Sequence, residues 1–364
     1  MNDRNLKSIT TFSHDDLFSR INLIENLLAS WQKFSKGKID KPDVLKFSFE
    51  LEKNLFDLHY DLKNNQYRHG YYSSFCVCDP KLRHIHKASV KDRVLHHAIM
   101  RIIEPIFDKI FIFDSYSSRK GKGVHKAILR LKKFAWKLSR NNTKTVWILK
   151  CDIRKFFDSI DHEILFRLIK KEISNQAFLE LIKEVIDSYP FRLDLHEHKF
   201  KEGEVAVCDY GIPLGNLTSQ LFSNVYLNPL DHFVKRILKE RYYLRYADDF
   251  VILSHDRYYL ENLVLIIRVF LVDKLKLKLH PNKIILRKWN QGVDFLGYVM
   301  FPHHTIMRPK TKRRMLGKIK NSCQLLEKGL LAKGSFNHSL QSYLGMLKHC
   351  FSYSIEKEIK NFLL

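Results

Sequence analysis

Residues 242–253 read Tyr242-Tyr243-Leu244-Arg245-Tyr246-Ala247-Asp248-Asp249-Phe250-Val251-Ile252-Leu253. Two short aromatic and β-branched runs flank the centre, which predicts two antiparallel strands with adjacent carboxylates held at the bend. Aspartate is common in turns for backbone reasons alone, so the pair takes its meaning from its surroundings. Upstream, Val146-Trp147-Ile148-Leu149-Lys150-Cys151 forms another apolar strand that ends in Asp152. If these strands are neighbours in one sheet, Asp152, Asp248 and Asp249 converge. Such a trio can hold two Mg²⁺ ions, with Mn²⁺ as a substitute, about 3.5–4 Å apart, the geometry of in-line phosphoryl transfer. That is polymerase chemistry.

Composition points the same way. The chain of 364 residues carries 63 Lys+Arg against 39 Asp+Glu, a net charge of +24, which calls for a polyanionic partner, with nucleic acid foremost. The positive charge is spread along the chain rather than gathered on one amphipathic helix, and no apolar stretch reaches membrane-spanning length. The N-terminus lacks an apolar signal core, so a cytoplasmic protein without a membrane partner is expected. With 45% apolar residues the chain can bury a sizeable core, in two or three subdomains. Its six cysteines are expected as reduced thiols. Cys76, Cys78, His84 and His86 on one hairpin could make a zinc site, although cysteine is also an ordinary small hydrophobe in strands.

Residues 16–34 and 42–62 read as amphipathic helices, and 71–86 as a hairpin turning at Asp79-Pro80-Lys81, before a helix over 90–107. Ser117 to Gly123 is a basic glycine-containing loop whose Arg119 and Lys120 would meet phosphates or simply stay solvated. It leads into a helix over 124–139. A single helix is predicted over 162–188, then a loop through Cys208 whose Asp194, His196 and His198 read as a polar surface turn. Gly211 to Gln220 opens a helix running to about 239, with Thr218 or Ser219 as its cap and glycine backbone free to approach a nucleotide. A helix over 259–274, strands over 276–280 and 283–287, and a turn and strand over 292–298 follow. From Arg308 to the end the chain is helical and basic, with 12 Lys+Arg against Glu327, Glu356 and Glu358. That segment, led by Arg308, Lys310, Lys312 and Arg313, is expected to track a phosphate backbone.

In order and spacing, five stretches resemble reverse transcriptases of the bacterial lineage related to group II intron enzymes. They are Lys150-Cys151-Asp152-Ile153-Arg154-Lys155-Phe156-Phe157, Gly211-Ile212-Pro213-Leu214-Gly215 to Gln220, Arg245 to Asp249, Leu279-His280-Pro281-Asn282-Lys283, and Phe295-Leu296-Gly297-Tyr298. The resemblance covers roughly residues 70–300 and implies an α+β, right-hand polymerase with an antiparallel palm sheet. It places an N-terminal helical element at 1–69, fingers at 70–144, a palm at 145–301 with a fingers-like insertion around 165–210, and a helical thumb at 302–364. It implies Asp152, Asp248 and Asp249 as Mg²⁺ ligands, and Lys81 and Arg83 as grips on the incoming triphosphate, assisted by Lys283. Ile153, Leu214, Gly215 and Gln220 would line the nucleotide, and Phe157 would be the steric gate against a ribose 2′-hydroxyl. Tyr246, Leu296 and Gly297 would touch nucleic acid. Template RNA, a DNA or RNA primer and dNTPs are the implied partners.

One departure narrows the resemblance. Most relatives carry Gln-Gly and Ser-Pro where this chain has Leu214-Gly215 and Ser219-Gln220, a variant similar to the reverse transcriptases of diversity-generating retroelements. Loss of a polar side chain beside the nascent pair implies loosened selectivity. Members of that group copy a template RNA with errors opposite adenines, aided by a small basic accessory protein and a structured noncoding RNA. The chain is expected to be a minimal member, without maturase, endonuclease or RNase H domains. The competing readings are a phage-defence enzyme copying a noncoding RNA and an inactive RNA-binding scaffold, against which the full carboxylate set weighs.

Overall fold

The computed structural model describes residues 16–78, 82–189 and 209–363. Its strands among these residues are β1 (Ser73–Val77), β2 (Arg83–Lys87), β3 (Trp147–Asp152), β4 (Tyr243–Tyr246), β5 (Asp249–Ser254), β6 (Ile285–Lys288), β7 (Val293–Phe295), β8 (Tyr298–Met300) and β9 (Thr305–Met307). The fold is α+β with wholly antiparallel sheets: a β1–β2 hairpin, a four-stranded sheet in the order β4-β5-β3-β6, and a β7-β8-β9 meander. Two compact units are each discontinuous in sequence.

The first unit gathers residues 16–113, 154–233 and 270–278 around the helix Val90–Ile110. Ser89 caps that helix by accepting from the Asp92 N–H, and its buried stripe includes Val94, Leu95, Ile99, Ile103 and Phe107. Helices Ile24–Ser35 and Leu217–His232 both pack against it. The latter is buried almost all round, from Thr218 to Asp231. Consequently Thr218 and Ser219 are core residues and not the expected caps, and Asn216 occupies the cap position and donates to the Tyr72 hydroxyl at 3.0 Å.

Several expected long helices are broken. The first splits at Leu23, the second at Glu50, and the one expected over 162–188 becomes His162–Glu172 and Gln176–Asp187. Asn175 restarts that last helix by accepting from the Phe178 N–H at 2.8 Å, so a local cap overrides an unbroken apolar period. The expected turn at Asp79–Lys81, and the loop carrying Asp194, His196, His198 and Cys208, lie outside the described residues.

The second unit contains the four-stranded sheet, the meander and the C-terminal helices. Helix Val124–Leu138 packs on β4 and β5, and Ile128, Leu131, Ile148, Leu244, Val251, Trp289 and Phe295 share one core. The basic C-terminal stretch forms helices Pro309–Glu327, Lys333–Leu347 and Tyr353–Leu363, with Met315, Ile319, Phe336, Leu347 and Ile355 in a core of their own. No strand forms over 276–280, where only a single bridge joins Leu279 to Ile153, and the last strand of the sheet begins at Ile285 instead of residue 283. Pro281 makes a 3₁₀ turn there, because proline cannot donate to a sheet ladder. Among the described residues no helix is long and apolar enough to cross a membrane, and the five described cysteines are free thiols.

Tyr226 ties the first unit together. Its buried hydroxyl donates to the Leu275 carbonyl at 2.8 Å and accepts from the Asp161 N–H at 3.1 Å. Tyr226→Phe leaves both backbone groups buried without a partner and is expected to destabilise the protein by about 3 kcal/mol, measured by urea unfolding with an unchanged m value.

Candidate active site

The register of the central sheet sets the site. Asp152, the last residue of β3, is the direct cross-strand partner of Asp249, the first residue of β5. Alternation puts Lys150, Asp152 and Asp249 on one face of the sheet. Tyr246 pairs with Asp249, so Ala247 and Asp248 are the whole of the β4–β5 turn. Ala247 sits in the left-handed region at φ 52°, the conformation a two-residue hairpin needs at its first central position. The Ile153 N–H donates to the Asp248 carbonyl at 3.3 Å, and the His280 N–H donates to the Asp152 carbonyl at 2.8 Å. Backbone bonds therefore bring the three predicted carboxylates to one end of one sheet.

Two lysines face them. Lys283, set by the 3₁₀ turn after His280, places its Nζ 2.7 Å from Asp152 Oδ1. Lys150 lies 3.6 Å from Asp249 Oδ1 and also donates to the Asp294 carbonyl. Asp248 has no such partner among these ion pairs: burial, and then the charges of Asp152 and Asp249, push its carboxyl up to about 6. Burial also raises Asp249, against the pull of Lys150. Among the described residues no group of three or more ligating side chains is arranged to hold a metal ion, and Asp152 and Asp249 are each ion-paired with a lysine.

Arg245 was not singled out by the sequence, yet it holds the turn. Its side chain is 0% exposed, donating through Nη1 to the Ala247 carbonyl at 3.0 Å and through Nη2 to Ser115 Oγ at 3.2 Å. The available signal was a charged residue inside an otherwise apolar strand.

The remaining expected site residues are placed as follows. Ile153 is a core residue, 1% exposed, with its amide donating to the Asp248 carbonyl. In the first unit Phe157 is half-buried in a 3₁₀ turn whose carbonyl accepts from the Ile212 N–H, and Arg83 is exposed on β2. Lys81 lies outside the described residues. The Leu214 carbonyl accepts from the His86 N–H at 3.2 Å. Gly215, at φ 128°, passes so close that a Cβ would meet the His86 carbonyl at 3.2 Å. Gly215 and Gln220 line a cavity of about 410 Å³ with Ile85, His86 and Arg93.

In the second unit Tyr246 is half-buried and hydrogen-bonded to Ser117, and Lys120 is exposed while Arg119 donates to the Ser115 carbonyl. Leu296 and Gly297 form the β7–β8 turn at φ 50° and 89°. Arg308 is engaged by Asp294 and Lys312 by Glu358 at 3.2 Å, whereas Lys310 and Arg313 are exposed. On the β1–β2 hairpin Cys76 Sγ and His84 Nδ1 are 3.4 Å apart as a cross-strand pair, and among the described residues no group of three or more ligating side chains forms that could hold a metal.

Residues 78–300 match the family described as reverse transcriptase (RNA-dependent DNA polymerase), well over half of the chain. The chain belongs to this family. The four-stranded antiparallel sheet is accordingly its palm, and the α+β, right-hand polymerase class is the one expected. Among curated relatives, Protein YkfC of Escherichia coli (strain K12) is 27% identical over 250 residues, covering 60% of this chain and 63% of that protein. The group II intron-encoded protein LtrA of Lactococcus lactis subsp. cremoris is 24% identical over 283 residues, covering 60% and 44%. The chain thus spans less than two thirds of the length of each. A solved structure of apo telomerase from Candida Tropicalis is similar over 81% of this chain and 62% of that one, with a TM-score of 0.49 and 12% identity.

The raised carboxyl of Asp248 has a stability consequence. A folded-state value above the unfolded one means that ionisation opposes folding; the penalty is absent below about pH 4, grows as pH rises, and is complete above about 6. In EDTA at pH 8, Asp248→Asn is therefore expected to raise stability by up to about 3 kcal/mol. The gain should vanish near pH 4. Thermal melts across pH check it, and a variant less stable than wild type at pH 8 contradicts the reading.

Proposed function

We propose that this chain is an RNA-directed DNA polymerase that extends a DNA or RNA primer with dNTPs on an RNA template. The observation that carries the reading is the carboxylate set of Asp152, Asp248 and Asp249 at one end of the palm sheet in a chain of this family. These are hard oxygen donors of the kind Mg²⁺ or Mn²⁺ takes, and Asp248 is raised by burial and then by the neighbouring carboxylates Asp152 and Asp249. Two such ions, when bound, would activate the primer 3′-hydroxyl and neutralise the leaving pyrophosphate.

The chain's own groups do the rest. Lys283 and Lys150 neutralise Asp152 and Asp249 until cations take over that role, after which Lys283 is free to meet a nucleotide phosphate. Arg83, with Lys81, grips the triphosphate, and Phe157 excludes the ribose 2′-hydroxyl. Fingers over 70–144, a palm over 145–301 with an insertion around 165–210, a thumb over 302–364 and a helical element over 1–69 divide this labour. Arg119 and Lys120 of the basic loop, and the exposed Lys310 and Arg313 of the thumb, follow the phosphate backbone.

Within the family we favour an error-prone enzyme of the diversity-generating type. An aliphatic Leu214 at the nucleotide and Ser219-Gln220 support that reading, which brings with it a structured noncoding RNA and a small basic accessory protein as partners.

Primer extension by the purified chain on an RNA template, with Mg²⁺ and four dNTPs, tests both levels. Expected are products that Asp248→Asn reduces by at least about 1,000-fold, as loss of a ligand to catalytic metal implies, with errors concentrated opposite template adenines. Faithful products shift the subtype to a phage-defence enzyme. No products with cognate RNA and cellular partners present leave an RNA-binding scaffold.

A further inference from the structure

Helix Val124–Leu138 presents a second chemistry on the face turned away from the palm core. Leu129, Lys132, Lys133 and Trp136 follow one another at helical spacing on that face, and Trp136 is 52% exposed. Lys132, Lys133, Trp136, Asn142, Trp289 and Pro302 surround a cavity of about 330 Å³. That volume is at the small end of ligand pockets, which run from about 300 to 1,000 Å³, and suits one nucleotide rather than a duplex.

The two indoles are fixed. Trp136 Nε1 donates to Asn141 Oδ1 at 2.6 Å and Trp289 Nε1 to Asn142 Oδ1 at 3.2 Å. Arg140, Asn141 and Asn142 are successive left-handed residues at φ 49°, 60° and 64°, a conformation costing roughly 1 kcal/mol or more per residue that asparagine tolerates best. With both N–H groups satisfied, what remains open on Trp136 is its ring face. A fixed exposed indole between lysines is how proteins hold unpaired bases.

Charge agrees. From Ser115 through Cys151 the sequence holds eleven Lys and Arg and not one Asp or Glu. Among the described residues neither Lys132 nor Lys133 has an acidic partner. The site is also remote from catalysis: Trp289 is bonded to the Val146 carbonyl at the start of the strand that ends in Asp152. At 3.3 Å per residue that is about 20 Å along the sheet.

We propose that this pocket binds a base of single-stranded RNA, stacked on Trp136 with Lys132 and Lys133 on the flanking phosphates, at a site separate from the catalytic carboxylates. The enzyme would hold its RNA at a second point, on the helix packed against the palm sheet, away from the primer terminus.

The test uses the full chain carrying Asp248→Asn, saturated with a short primer–template duplex, and measures binding of a fluorescent twelve-residue oligouridylate against salt. Trp136→Ala is expected to weaken binding roughly 5- to 100-fold, the range for losing one base–aromatic stack. The double change Lys132→Ala and Lys133→Ala, on exposed and partly exposed side chains that leave the core intact, should lower the slope of log K against log salt by about 1.4. A 4-thiouridine in the oligomer should photocrosslink to residues 132–142. On the Asp248 background, extension of the short duplex by the pocket variants should stay at wild-type rate. Unchanged affinity and slope overturn the proposal, and so does loss of short-duplex extension by the pocket variants, which would make the pocket part of the catalytic substrate path. Since binding is read with a chain that cannot extend, failure here is distinct from failure of the polymerase reading.

Discussion

A buried guanidinium fixes the turn on which the site depends. Arg245 has no exposed surface, and two of its donors end on the Ala247 carbonyl and on Ser115. Burying an arginine is costly unless its donors are met, so the strand that carries it can take few other positions. The same residue's backbone bonds to Asp114 and Tyr116, which fastens the start of the basic loop to the edge of the palm sheet. Ala247 is thereby held at positive φ, where its Cβ makes the conformation costly by roughly 1–2 kcal/mol. Strain at one residue lets Asp248 stand at the tip while Asp249 starts the next strand.

Register does the rest, because a slip of one residue in β5 would send Asp249 to the opposite face from Asp152. The apolar residues of β5 make that slip expensive: Phe250, Val251, Ile252 and Leu253 are all buried, which needs a sheet covered on both sides. Packing that has nothing to do with chemistry thus determines whether the carboxylates meet. Their charge is then balanced locally by Lys150 and Lys283, each from a different strand or turn, while burial and the two neighbouring carboxylates raise Asp248.

The palm was legible because its chemistry is carried by short apolar strands whose ends are marked by aspartates. The hairpin over residues 242–253 and the strand before Asp152 needed only alternation and propensity to be read. What could not be read depended on partners far along the chain. Thr218 and Ser219 looked like caps, but the helix they open is surrounded by protein, and burial on every side erases the amphipathic signal that marks a helix start. The break at Asn175 was hidden because the apolar period continues across it, and the charge of Arg245 inside an apolar strand marks it as unusual without naming the Ala247 carbonyl and Ser115 hydroxyl that hold it. Lys283 was expected at a nucleotide and as the start of a strand, and its ion pair with Asp152 comes from a 3₁₀ turn over 281–283, before the strand that begins at Ile285.

The polymerase activity proposed above would need opposite electrostatics within one domain: carboxylates where cations would gather and an excess of lysine and arginine where phosphates would run. With a net charge of +24, long-range attraction favours nucleic acid everywhere on the surface, and at a Debye length of about 8 Å in physiological salt the two regimes can coexist if separated by more than that distance. The palm sheet supplies the separation. Its strands are buried and apolar along most of their length, so the carboxylates stand at one end and the acid-free helix Val124–Leu138 packs behind β4 and β5. Placing lysines 132 and 133 closer would set them in competition with Lys283 for Asp152, and placing the carboxylates closer would repel the strand those lysines attract. The sheet's apolar interior would therefore be an electrostatic device as well as a core: by keeping water out and the two charge populations apart, it would let one small domain attract a polyanion and concentrate cations.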